Sequence, residues 1–83
     1  MKSHILLVED DPLIIKVLGE FIESAGHVVE TAGDGDAGVR RAYLLDFDIL
    51  IFGVALPGLS GPAICQEVRR EGYHAAILMF TGV

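Results

Sequence analysis

Ile5-Leu6-Leu7-Val8-Glu9-Asp10-Asp11-Pro12 is the stretch that decides the fold. Four aliphatic residues in a row, with no polar alternation, make His4–Val8 read as a short strand buried on both faces, as in a parallel sheet. Acids follow at its carboxyl end. Asp11-Pro12 then reads as a helix start: Asp11 can cap, and Pro12 suits the first helical position, where its missing N–H had no partner anyway. A strand that passes directly into a helix is half of a strand–helix–strand crossover, so the rest of the chain should alternate in the same way.

It does. Ile14, Val17, Leu18, Phe21, Ile22 and Ala25 follow the helical period, and Gly26 is placed to end that helix as a C′ residue. His27–Thr31 is the expected second strand, with Val28-Val29 at its centre. Gly33-Asp34-Gly35 reads as a turn, and Asp36 to about Leu45 as a second helix weakened by Gly38. Asp46–Gly53 holds a third buried strand, Ile49-Leu50-Ile51-Phe52. Pro57-Gly58 marks a loop. Gly61-Pro62 opens a third helix with Ile64, Cys65 and Val68 on its inner face, and Gly72 ends it. Ala75–Phe80 is a fourth apolar strand. The order β-α-β-α-β-α-β predicts a single α/β domain over residues 1–83, built on an open parallel sheet with right-handed crossovers. Sites on such sheets lie beyond the carboxyl ends of the strands. That directs attention to Glu9–Asp11, Gly53–Ala55 and Thr81-Gly82.

Composition narrows the function. The chain has 83 residues, 52% of them apolar, and no Trp. So much apolar content excludes a disordered chain and predicts an aliphatic core, though a chain this short buries only about 60–65% of its unfolded surface. A net charge of −6 with scattered Lys and Arg excludes a nucleic-acid surface. The single cysteine, Cys65, cannot form an internal disulfide and reads as core; no Cys/His spacing resembles a zinc site. The run Ile5–Val8 is too short for a signal segment or a membrane span, which leaves a cytoplasmic setting as the expectation.

Acids at one strand end repel one another. Two readings explain them: carboxylates gathered for a divalent cation such as Mg²⁺, or acids placed at a helix N-terminus, each stabilising by roughly 0.3–1 kcal/mol. Capping accounts for Asp11. Glu9 and Asp10 leave both readings open.

Taken together, several stretches resemble response-regulator receiver domains of the CheY-like type. They are Ile5–Pro12, Ala25-Gly26-His27-Val28-Val29, Asp34-Gly35-Asp36-Ala37-Gly38, Phe47-Asp48-Ile49-Leu50-Ile51 and Leu56-Pro57-Gly58-Leu59-Ser60-Gly61. They run in family order over nearly the whole chain. The resemblance implies a flavodoxin-like sheet of order 2-1-3-4 and a role in two-component signalling, with a histidine kinase or an output domain as partner. It further implies that Glu9, Asp10 and the backbone carbonyl of Ala55 bind Mg²⁺, and that Thr81 is the switch hydroxyl that senses a phosphoryl group. The family's phosphoacceptor aspartate falls on Gly53, which has no side chain. Asp48 cannot replace it. Five residues earlier on a strand rising about 3.3 Å per residue, it lies roughly 16 Å away, at the wrong end of the sheet. The family's lysine at the end of a fifth strand has no counterpart in this sequence.

The expectation is therefore a receiver-like interaction module, not an enzyme, that is not phosphorylatable at the usual site and binds Mg²⁺ weakly or not at all. Three other readings stay open: a fragment or acceptor variant of a conventional regulator, a small α/β enzyme using Glu9, Asp10 and Thr81, and a purely structural, dimer-forming fragment. Against the enzyme, nothing pairs a nucleophile with a base, and His4, His27 and His74 fall at strand starts, away from the predicted site. The resemblance also leaves the last strand and the fourth and fifth helices of the family fold unaccounted for. The fourth strand, with Ile77, Leu78, Met79 and Phe80 in a row, is then an unprotected apolar edge. It is expected to drive self-association together with Ile15, Leu18 and Ile22 of the first helix.

Overall fold

A computed structural model describes residues 2–80. Seven elements alternate along the chain: β1 (His4–Val8), α1 (Pro12–Ser24), β2 (Val28–Ala32), α2 (Gly35–Leu44), β3 (Ile49–Gly53), α3 (Gly61–Arg70) and β4 (Ala76–Phe80). The strands form one parallel sheet in the order β2-β1-β3-β4. The flavodoxin-like order 2-1-3-4 expected from the sequence is thus the order observed.

Each helix begins where local chemistry dictates. The Asp11 carboxylate accepts the Leu13 N–H (2.9 Å) and Pro12 follows it. The Asp34 carboxylate accepts the Ala37 N–H (2.8 Å), and the Ser60 hydroxyl oxygen accepts the Ala63 N–H (3.3 Å) ahead of Pro62. Gly26 and Gly72 leave α1 and α3 with φ of +95° and +85°, a backbone that only glycine adopts cheaply. Three elements shift by one residue from the expectation. β2 starts at Val28, because His4 pairs with Val28 and the His27 ring accepts the Ser3 N–H (2.9 Å). α2 starts at Gly35, because Asp34 is its cap. β4 starts at Ala76, with Ala75 buried just before it.

The sheet divides the apolar side chains by parity. Leu6, Val8, Leu50 and Phe52 pack with Ala42 of α2 and with Ile64 and Val68 of α3, and Cys65 flanks this cluster half-buried. Ile5 and Leu7 are buried on the opposite face, under α1. Gly38, expected to weaken α2, has a packing role instead. A Cβ there would lie 2.8 Å from Val8 Cγ2, so the helix reaches the sheet only because this side chain is missing. The Ile15, Leu18 and Ile22 side chains, expected to be exposed, are half-buried against the sheet. The open flank of α1 is Leu13, Val17 and Phe21, spaced i, i+4, i+8 and 67%, 56% and 71% exposed.

Candidate functional site

Both β1 and β3 run toward the same end of the sheet, and register fixes what meets there: Val8 lies beside Phe52. Glu9 therefore follows β1 next to Gly53, which closes β3. Glu9 is buried, at 6% exposure, and is the only charged residue so buried among the described residues; Asp10 and Asp11 are exposed. One Glu9 oxygen, Oε1, accepts the backbone N–H of Asp10 (2.8 Å) and, at longer range, that of Asp11 (3.4 Å). The other, Oε2, turns over Gly53: a Cβ built on that glycine would lie 3.2 Å from it and 3.5 Å from the Leu56 side chain. Burial pushes the Glu9 carboxyl above its ordinary value, the Asp10 carboxyl beside it pushes the same way, and the two backbone donors partly oppose this.

The loop after β3 is fastened to the start of α2. The Gly35 N–H donates to Pro57 O (3.1 Å), and a Cβ on Gly35 would fall 2.0 Å from Leu59 O. Gly58, at φ +77°, lies against the Asp36 carboxylate. Ala55 stands exposed in this loop, two residues past Gly53. Thr81 lies outside the described residues.

The corner is a poor donor set for a divalent cation. One oxygen of its buried carboxylate is engaged by backbone donors, residue 53 contributes no carboxylate, and no three His, Cys, Asp or Glu side chains among the described residues could hold a metal together. Asp48 is at the far end of the sheet, as expected, where its Oδ2 accepts the His4 N–H (2.8 Å). The histidines are away from the corner too. The His4 ring contacts Glu30 Oε2 (3.1 Å) and stacks obliquely on Phe47 with centroids 4.6 Å apart, and His74 lines an open cleft of about 640 Å³ at the start of the strands. Tyr43, Asp46, Asp48, Glu71 and Tyr73 also border that cleft. No Ser, Thr, Cys or Lys is among the residues that line it.

On β4, the register Leu7, Ile51, Leu78 puts Leu78 on the α1 face. Leu78 and Met79 are exposed, Phe80 is half-buried, and Ile77 packs half-buried against the core. Sequence reasoning put Val17 and Phe21 in the apolar stripe of the first helix and passed over Leu13, whereas the structure leaves all three exposed. Their i, i+4, i+8 spacing beside the inward stripe carried the signal, since α1 has more apolar circumference than one sheet face covers.

A parallel 2-1-3-4 sheet with carboxylates gathered at the strand ends defines the CheY-like class of flavodoxin-like folds. The response regulator receiver domain family matches residues 5–83, and the chain belongs to that family. It is 35% identical over 78 residues to the transcriptional regulatory protein TcrA of Mycobacterium tuberculosis, covering 94% of this chain and 31% of that one. To the alkaline phosphatase synthesis transcriptional regulatory protein PhoP of Bacillus subtilis it is 33% identical over 81 residues, covering 98% and 34%. The chain thus spans about a third of the length of these relatives. Among solved structures, the response regulator TrrA of Thermotoga maritima in complex with Mg²⁺-BeF superposes with a TM-score of 0.92 at 28% identity, covering 98% of this chain and 70% of that one. The chemotaxis response regulator CheY4 of Vibrio cholerae gives 0.91 at 30% identity, covering 95% and 68%. The family is one of signalling receivers. Among the described residues no helix is long and apolar enough to cross a membrane.

Proposed function

We propose that this chain is a receiver-type protein-interaction module that does not accept a phosphoryl group at the usual position. The observation that carries this reading is Gly53: β3 ends in a residue with no nucleophile, under a Glu9 carboxyl already engaged by the backbone. Acyl-phosphate formation needs a carboxylate free to attack and a cation to balance the charge that develops; among the described residues, position 53 does not supply that carboxylate. Mg²⁺ binding is accordingly weak or absent. The module works through protein contacts. TrrA has been solved in complex with the histidine kinase ThkA, and the much greater length of TcrA and PhoP suits a receiver joined to an output domain. A kinase or an output domain is thus the partner we assign, rather than nucleic acid, in a cytoplasmic setting that suits the free thiol of Cys65. A second copy of the chain is the partner of the open α1–β4 face.

The test is incubation with acetyl phosphate and Mg²⁺ followed by intact-mass measurement. The mass should stay unchanged. An acid-labile gain of one phosphoryl group, mapped to Glu9 or Asp10, would overturn the proposal. Gly53→Asp restores a carboxylate and should be the variant on which any labelling appears.

A further inference from the structure

Glu9 is a charged residue whose burial needs a physical reason. Removing a carboxylate from water is costly unless donors replace the water. Two backbone N–H groups do so at Oε1, both from the turn that joins β1 to α1. Its other oxygen and its Cδ lie 3.2 Å and 3.7 Å from the point where a Cβ of residue 53 would stand. The side chain therefore does two things: it accepts from the turn, and its Oε2 end crowds the point where a side chain on residue 53 would begin.

We infer that Glu9 is a self-capping plug, holding the acidic corner in shape without a divalent cation and crowding the space into which a side chain at position 53 would extend. This rests on the reading that residue 53 is not a phosphoryl acceptor, and it adds the identity of what stands there instead. Two consequences separate a plug from a cation ligand. At position 9 the fold requires an oxygen acceptor of the right reach rather than a negative charge. Glutamine keeps that oxygen and loses the charge, whereas alanine loses both. Position 53 is also coupled to position 9, since a methyl group at 53 must displace the end of the Glu9 side chain by a few tenths of an ångström.

The experiment measures urea midpoints of the full 83-residue chain, with and without millimolar Mg²⁺, for the parent, Glu9→Gln, Glu9→Ala, Gly53→Ala and Glu9→Ala/Gly53→Ala. The parent midpoint should not respond to Mg²⁺. Glu9→Gln should match or exceed the parent, and Glu9→Ala should fall below it. Gly53→Ala should lower the midpoint in the parent but not in the Glu9→Ala background. A parent midpoint raised by Mg²⁺, or a Glu9→Gln midpoint as low as that of Glu9→Ala, would make Glu9 a charged cation ligand and overturn the inference. Equal Gly53→Ala shifts in both backgrounds would overturn the contact with position 53. If Glu9→Ala does not fold, water-proton relaxation with Mn²⁺ decides. The parent should give no enhancement, and an enhancement that Glu9→Gln removes would refute the plug. The phosphodonor experiment fails separately: a labelled chain with a Mg²⁺-insensitive midpoint defeats the functional reading alone.

Discussion

Replacing Leu78 by lysine should abolish self-association of this chain. Leu78 is 56% exposed on the face of the sheet that α1 covers only in part, and Leu13, Val17 and Phe21 of α1 are exposed to a similar degree. Together these four side chains offer roughly 500 Å² of apolar surface, at the upper end for a monomer's largest patch. A two-fold pairing that covers most of it on both copies buries on the order of 800–1,000 Å², at or below the lower edge of specific interfaces, so the expected Kd is micromolar rather than nanomolar. The exposed part of Leu78 amounts to about 100 Å², or about 2.5 kcal/mol at ~25 cal/mol per Å². Two-fold symmetry counts it twice, and ~5 kcal/mol is a three- to four-decade loss in Kd. The monomer should tolerate the change, because the lysine stem can lie along the surface with its ammonium in water. Sedimentation equilibrium from low to several hundred micromolar reads the outcome directly. Each copy carries −6, so added salt should tighten the parent dimer by screening their repulsion. A parent chain that stays monomeric throughout, or a Leu78→Lys chain that associates as the parent does, would refute the reasoning.

Three further outcomes follow from the packing. Phe52 is fully buried against both α2 and α3, so Phe52→Ala should cost about 3–5 kcal/mol and leave little folded protein by near-UV dichroism. Gly35→Ala drives a methyl group into the Leu59 carbonyl and should lower stability by about 1–3 kcal/mol while increasing amide exchange in residues 54–60. The raised carboxyl of Glu9 sets a sign: any stability that its protonated form contributes is complete below the unfolded-state value and is lost as pH rises through the folded-state value. Urea midpoints should therefore favour Glu9→Gln over the parent more strongly at pH 7 than at pH 4, and an advantage that shrinks with pH would contradict the burial assignment.

The sequence disclosed β1 and the start of α1 to the residue, because the cap and the apolar run are local. It placed β2 and α2 one residue off. Their starts are set by a parallel register between His4 and Val28 and by which of two acids, Asp34 or Asp36, turns back on the helix. Spacing does not contain either fact. At the site, the residue types were legible and the conformation was not. Nothing within the Glu9-Asp10-Asp11 triplet reveals that Glu9 folds inward, because the residue it lies against, Gly53, is distant in sequence. Gly38 misled for the same reason: helix propensity sees its backbone freedom, whereas the deciding neighbour, Val8, lies on another element.

The two ends of the sheet are held together in different ways. At the start of the strands, side chains tie elements together. His4 reaches Glu30 on β2, which also binds Arg41 of α2, while the Asp48 carboxylate accepts the His4 N–H. The Tyr73 hydroxyl donates to Leu45 O and accepts the Phe47 N–H, bracing the loop before β3 against the segment before β4. At the other end the corresponding contacts are mostly backbone to backbone, such as Val54 N–H to Phe80 O and Gly61 N–H to Val54 O, and these do not depend on what residue 53 carries. The contacts that join elements at that end thus use backbone atoms of Val54, Phe80 and Gly61 and no side chain of residue 53.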